Sequence, residues 1–122
     1  MKILRFHAAG DGGSRFQEVE VPIDQPRVDS FGNTLRQSGA FASPSVRFVE
    51  LPRGLDQSWH KAPARQIVIL LSGVMEVGTS DGEKRQWRAG TAVIADDLSG
   101  KGHTTRTIGN EPRVSVVIPL AG

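Results

Sequence analysis

Hydrophobic and polar residues alternate over short stretches of this chain, and a glycine or a proline separates most stretches from the next. Short alternating segments that are rich in β-branched residues and bounded by turn residues are typical of strands in an all-β sandwich or barrel. No stretch carries the period of an amphipathic helix over a useful length. The predicted strands are residues 3–7, 17–21, 46–51, 64–71, 74–79, 84–87, 91–95, 103–108 and 114–118. This is about the number of strands in a jelly roll.

The clearest turn signal lies between the strands predicted at 74–79 and 84–87. The pair Asp81-Gly82 tolerates positive φ, which is the backbone conformation that a tight hairpin turn demands. We therefore expect these two strands to pair as a hairpin.

Residues 24–45 interrupt the pattern. Proline and glycine recur through this segment, and its polar residues follow no steady period. A connection of this length is uncommon inside a compact domain. We expect a long loop or arm that lies across one face of the domain or reaches a neighbouring subunit.

The size and charge of the chain limit what it can be. Its 122 residues are enough for one compact domain and too few for two. We therefore expect a single domain over residues 1–122, with a barrel core at about 46–119 and N-terminal strands and the arm at 1–45. The 15 Lys and Arg against 13 Asp and Glu give a net charge of +2, which is too small an excess to hold nucleic acid.

Cysteine is absent, which excludes a disulfide, a thiol nucleophile and a thiolate metal site. Three histidines and the carboxylates remain as candidate metal ligands. The longest apolar stretch, residues 67–71, is far too short to span a bilayer, and residues 1–6 lack the pattern of a signal peptide. We expect a cytoplasmic protein that has neither a membrane nor a nucleic acid as a partner.

The segment that begins at His60 carries the first candidate site. Alternation along it predicts that His60 and Gln66 share one face with small and apolar side chains as far as Val68 and Leu70. An imidazole and an amide in a barrel lumen are either a ligand site or a costly burial. We expect the lumen to be polar near His60 and closed by apolar side chains near Leu70.

The opposite face of the same segment carries Arg65 and three apolar residues, Ile67, Ile69 and Leu71. An apolar outer face predicts sheet packing or a subunit interface, and hence a homodimer. Arg65, like Arg106 on a later strand, is expected to form salt bridges between strands or to lie at an interface.

His103 is the second candidate site residue. Two glycines precede it and give the backbone the freedom to bring it towards His60. Alternation places Thr105 and Thr107 on the same face. Two histidines from separate strands with a third polar group suit a metal site or an acid–base pair. Each histidine taken singly is better explained as a hydrogen-bonded lumen residue, whereas the pair favours a ligand site.

Several segments together resemble the small single-domain cupins of bacteria. They are WHKAPARQ (59–66), LSGVMEV (71–77), SDGE (80–83), AG (89–90) and GKGHTTR (100–106), with a weaker match at 11–18. In the register of that family, His60 is the first histidine, Gln66 stands at the glutamate position with Gly73 following after six residues, and His103 is the later histidine. The resemblance covers roughly residues 46–119. It implies a cupin-type jelly-roll β-barrel, commonly a homodimer.

The chain departs from the family pattern at two positions. Ala62 stands where the family has a second histidine, and Gln66 replaces an anionic glutamate. The implied metal ligands are therefore His60, Gln66 and His103, three neutral groups for a divalent Fe, Mn, Ni or Zn ion. A carboxylate from residues 96–97 would add charge, but counting along the strand places both near the rim of the lumen.

The sequence leaves two functions open. The first is a module that binds or senses a small polar or carboxylate ligand at His60, Gln66 and His103, with Trp59 and Thr105 as further ligand contacts. The second is a metal-dependent enzyme of the dioxygenase, isomerase or decarboxylase type that acts on a small organic acid. His60 and His103 are then the catalytic residues.

Overall fold

The computed structural model of the chain describes residues 1–121, and these form twelve strands and no helix. The strands are β1 (Lys2–Ala8), β2 (Ser14–Glu20), β3 (Gln25–Val28), β4 (Thr34–Gln37), β5 (Arg47–Leu51), β6 (Asp56–His60), β7 (Gln66–Ser72), β8 (Val74–Gly78), β9 (Lys84–Arg88), β10 (Ala92–Asp96), β11 (His103–Ile108) and β12 (Arg113–Pro119). The prediction of an all-β fold is confirmed, and each predicted strand overlaps an observed one. The sequence prediction missed β3, β4 and β6.

Two larger sheets enclose the core. The six-stranded sheet has the order β2-β1-β10-β7-β12-β5, and the four-stranded sheet has the order β6-β11-β8-β9. β1 runs parallel to β10. Apolar side chains from both sheets form one cluster that includes Phe6, Leu70, Val77 and Val93. Two sheets that pack through their inner faces are the jelly-roll arrangement that the strand pattern predicts.

The alternating pattern of residues from His60 to Leu70 extends over two different strands. His60 ends β6 in the four-stranded sheet, whereas β7 begins at Gln66 in the six-stranded sheet. Pro63 lies in the connection, where its missing N–H and fixed φ interrupt strand pairing. The prediction of a single strand face is therefore wrong, although residues on both sides of the connection border one cavity.

The predicted hairpin at residues 79–83 is confirmed. The N–H of Thr79 donates to the carbonyl of Glu83 at 2.9 Å, and the N–H of Gly82 donates to the carbonyl of Thr79 at 3.1 Å. Gly82 has a φ of +87°, which an L-residue with a side chain rarely adopts. The turn joins β8 to β9, which pair along their whole length.

The segment at 24–45 is more regular than predicted. It contains a separate two-stranded hairpin of β3 and β4, whose turn is closed by Asp29 Oδ1 accepting from the N–H groups of Phe31 and Asn33. Both strands are exposed on both faces, so no alternation reveals them in the sequence. Residues 38–41 then border the outer face of the six-stranded sheet beside Ile67. Residues 38–41 thus lie against one face as expected, whereas the β3–β4 hairpin is exposed, and contact of the segment with a neighbouring subunit stays a prediction.

The outer faces carry the ion pairs that were expected there. Arg65 lies 3.6 Å from Asp96, and Arg106 lies 3.3 Å from Glu76. Arg5 makes the closest contact with Asp96, at 2.7 Å. No helix within residues 1–121 is long and apolar enough to cross a bilayer, and the location of the protein in the cell stays a prediction.

Candidate ligand-binding site

A cavity of about 140 Å³ lies between the two sheets, and we call it the lumen. Apolar side chains form much of its wall, among them Phe6, Val68 and Met75. Its polar wall residues include His60, Gln66, His103, Thr105, Arg113 and Ser115. The structure therefore brings His60, Gln66, His103 and Thr105 to one cavity.

The pairing of β6 with β11 places the two histidines side by side. His60 and His103 are direct partners in the register, and their ring centroids are 4.4 Å apart. Gly102 makes this approach possible. It has a φ of +81°, and a Cβ at this position would overlap the backbone carbonyl of His60. The predicted role of the glycines before His103 is confirmed at this residue.

Asp97 is part of the site, which corrects its predicted place at the rim. It has no exposed surface, and its Oδ2 accepts a 2.5 Å hydrogen bond from Nδ1 of His103. Its Oδ1 accepts from the backbone N–H of Ala62 at 3.3 Å. Ala95 lines the lumen, and Asp97, two residues further on, points to the same side although β10 ends at Asp96. Asp96, the last residue of that strand, stays on the outer face with Arg5 and Arg65.

Both imidazoles are held through Nδ1. A carboxylate can only accept a hydrogen bond, so the proton lies on Nδ1 of His103. Nδ1 of His60 donates in the same way to the carbonyl of Ser58 at 2.6 Å. In the neutral form, each ring therefore keeps Nε2 as an acceptor. Within residues 1–121, neither Nε2 has a hydrogen-bond partner.

Trp59 lies outside the lumen. It is adjacent to His60 on β6, and successive side chains of a strand point to opposite faces. Trp59 borders an outer groove together with Asp56 and Arg106, and Nζ of Lys101 lies 4.1 Å from its ring centroid. The structure therefore does not bring Trp59 to the lumen with His60, and its contact with a ligand stays a prediction.

The side chains present do not fit a firmly held divalent cation. Within residues 1–121, no three His, Asp or Glu side chains converge on a common point. The predicted set of His60, Gln66 and His103 is neutral, and Ala62 provides no side-chain donor. The one nearby carboxylate, Asp97, already accepts hydrogen bonds on both oxygens. A divalent ion would meet few ligands and little compensating charge here.

Arg113 is a lumen residue that the sequence analysis missed. It is 1% exposed, and its Nε donates to Oγ1 of Thr107 at 2.9 Å. Burial lowers the pKa of Arg113 to about 10, so the guanidinium stays charged at neutral pH. Ser115, two residues along β12, is equally buried, and its Oγ has no hydrogen-bond partner within residues 1–121. The lumen is therefore polar in the region that was predicted to be closed by apolar residues.

A larger cleft of about 460 Å³ lies outside the barrel, between the six-stranded sheet and residues 38–41. Its charged groups include Arg5 and Arg65, and both already pair with Asp96. The lumen, by contrast, holds polar groups that lack protein partners. We therefore place the candidate site in the lumen.

No family model and no curated protein matches the sequence. Three solved structures are similar in fold. A Thermotoga maritima protein described as a predicted oxalate decarboxylase is 18% identical over 84% of this chain and 100% of that chain, with a TM-score of 0.49. The cupin domain of Schizosaccharomyces pombe Cnp3 is 16% identical over 98% of this chain and 88% of that chain, with a TM-score of 0.49. A Klebsiella pneumoniae protein with a double-stranded β-helix domain is 24% identical over 87% of this chain and 99% of that chain, with a TM-score of 0.46.

Nothing about this chain is concluded from these likenesses. Its two packed sheets give the all-β jelly-roll fold that the strand pattern of the sequence predicts.

Proposed function

We propose that the lumen binds a small organic acid through His60, Gln66 and His103, with Thr105 as a further contact. The observation that carries the proposal is the pair of imidazoles that face one cavity. Each uses Nδ1 within the protein and keeps Nε2 free of protein partners. A ring nitrogen that faces a cavity and has no protein partner can accept a hydrogen bond from a ligand, so a polar ligand is the partner that we propose.

Asp97 gives His103 the character of a proton acceptor. The carboxylate fixes the tautomer with Nδ1 protonated and keeps Nε2 as the nitrogen that faces the ligand as an acceptor. A hydroxyl or ammonium group of the ligand would donate to Nε2 of His103 or His60. The amide of Gln66 can both donate and accept, which suits an orienting role. These groups are sufficient for binding and for moving one proton.

The alternative function is a metal-dependent enzyme that acts on a small organic acid. One feature favours this alternative: Nδ1 of His60 donates to a carbonyl, and Nδ1 of His103 donates to a carboxylate. Histidines that bind a metal through one ring nitrogen usually donate the other nitrogen in this way. Metal content per chain, measured by mass spectrometry without chelator, separates the two functions. Near-stoichiometric Fe, Mn, Ni or Zn that is lost in His60→Ala and His103→Ala would replace our proposal.

A thermal-shift screen with short carboxylic acids tests the proposal. We expect at least one acid to raise the melting temperature of the wild-type protein in a saturable way. His60→Ala and His103→Ala should weaken the response at least tenfold while the proteins stay folded. His7→Ala is the matched control, because His7 lies on β1 and does not line the lumen. Unfolding of both lumen variants with no acid response in the wild type would instead give the histidines a structural role.

A further inference from the structure

Arg113 is a buried cation that the proposed function leaves unused. Within residues 1–121 its guanidinium makes one hydrogen bond, from Nε to Thr107. Burial alone accounts for its lowered pKa, with no carboxylate beside it. Arginine carries five N–H donors, so both terminal nitrogens lack protein partners. An unpaired buried charge is costly and is normally compensated by a counter-charge.

A second unsatisfied group lies on the same strand. Ser115 and Arg113 are two residues apart on β12, so both side chains point to the same face, and both line the lumen. Ser115 Oγ is buried without a partner within the described chain. A guanidinium can donate two parallel hydrogen bonds to the two oxygens of a carboxylate, and a nearby hydroxyl can donate a third.

We propose that Arg113 and Ser115 form an anion subsite that holds the carboxylate of the ligand, while Thr107 keeps the guanidinium in place. This inference rests on the proposed function, because it assigns each end of the proposed ligand to one part of the lumen. The carboxylate binds at Arg113, and a hydroxyl or amino group at the other end of the ligand binds at the two histidines.

The volume of the cavity limits the ligand. Arg113 lines the lumen, and Thr107 holds its Nε. The cavity of about 140 Å³ is close in size to one of about 150 Å³ that holds benzene. The ligand class is therefore a short monocarboxylic acid with a second polar group and on the order of six non-hydrogen atoms.

Charge favours one carboxylate over two. Arg113 is one cation, and Asp97 already places a carboxylate beside His103. The other cation that borders the lumen, Lys61, is exposed to solvent. Within residues 1–121, a second carboxylate near Asp97 would therefore have no further buried cation to pair with. Dicarboxylates should therefore bind more weakly than monocarboxylates of the same length.

The test compares acids with their neutral amides. Acetate, glycolate and lactate are titrated into the purified protein by calorimetry, beside acetamide, glycolamide and lactamide. We expect the wild type to bind at least one acid and to bind its amide at least tenfold more weakly. Arg113→Gln should lose at least tenfold in affinity for the acid, and Arg113→Lys should lose less, since it keeps the charge without the planar fork.

Two further variants keep the test decisive. Ser115→Ala removes the unpaired hydroxyl without changing charge and should weaken acid binding several-fold, even if Arg113→Gln fails to fold. Arg106→Gln removes an arginine from the outer face and should bind as the wild type does.

The failures of the two proposals are distinguishable. Equal binding of acids and amides, unchanged in Arg113→Gln or Ser115→Ala, would overturn the anion subsite and leave the proposed function standing. Binding of neither set by the wild type would overturn both.

Discussion

At the residue scale, the site depends on a few buried polar groups whose positions were predictable to different degrees. His60, Gln66 and His103 were identified from their spacing, and the structure brings all three to one cavity. Asp97 was predicted to lie at the rim, and Arg113 was missed, for the same physical reason. A charged residue next to a turn is usually solvated, and its burial depends on how the chain folds back after the strand.

Arg113 gives a stability prediction. A buried cation without a counter-charge costs folding free energy, so Arg113→Met should leave the melting temperature of the ligand-free protein unchanged or raise it by a few degrees. Differential scanning calorimetry at pH 7 measures this. Arg106→Met, which alters an arginine on the outer face, is the control and should not raise the melting temperature. A loss of many degrees in Arg113→Met would show that the arginine stabilises the fold.

The same residue predicts a pH dependence. The pKa of Arg113 in the folded state is lowered by burial to about 10, below the ordinary value of an arginine, so folding disfavours the protonated form. The cost is complete below pH 10 and is relieved as the pH rises above about 10. The wild type should therefore gain stability relative to Arg113→Met over this range. If the difference in stability between the wild type and Arg113→Met did not change over this pH range, the charge of Arg113 would not be buried in the folded state.

At the scale of elements, the alternation of residues predicted strands that have one buried face. It missed β3 and β4 because they are exposed on both faces, and it missed β6 because only His60, at its end, is even half-buried. The alternation from His60 to Leu70 suggested a single strand because it happens to continue across the connection at Pro63. Sequence period alone does not show where a chain changes sheets.

The turn between β8 and β9 gives a prediction at this scale. Hydrogen bonds from Thr79 Oγ1 and then from the N–H of Glu83 lower the pKa of Asp81 below 3.8. A carboxyl whose pKa is lowered by folding stabilises the protein above its unfolded value and loses this effect as the pH falls through the folded one. Asp81→Asn should therefore melt a few degrees lower than the wild type at pH 7.

The matching measurement is made in acid. As the pH falls from 3.8 through the lowered pKa that Asp81 has in the folded state, the difference between Asp81→Asn and the wild type should shrink, because the wild-type carboxyl becomes protonated in both states. Asp24→Asn, which alters a carboxyl outside the turn, is the control. A difference that persists at low pH would mean that Asp81 acts through something other than its charge.

At the scale of the whole molecule, exposed apolar side chains favour the homodimer expected from the sequence. Phe31 at the tip of the β3–β4 hairpin is 88% exposed, and Phe48 on the edge strand β5 is 75% exposed. Aromatic side chains on an open strand edge and a projecting hairpin are typical of surfaces that a second copy covers. The half-buried Ile67 and Ile69 are less accessible than predicted, since residues 38–41 border that face.

Sedimentation velocity at micromolar concentration tests this association. We expect twice the mass of one chain for the wild type, and a shift towards the monomer in Phe31→Ser or Phe48→Ser. Trp59→Ser alters an exposed aromatic side chain on β6 of the other sheet and should leave the association unchanged. A wild-type monomer at this concentration would contradict the homodimer.

The most direct test of the account uses the histidine side chains as reporters. The chain has three histidines, and only His60 and His103 line the lumen. Imidazole ¹H–¹⁵N spectra are recorded while a short carboxylic acid that stabilises the protein is added. The account predicts saturable shifts of the His60 and His103 signals at one common affinity, with His7 unchanged. Stabilisation by the acid without any shift at His60 or His103 would show that the ligand binds elsewhere and would contradict the account.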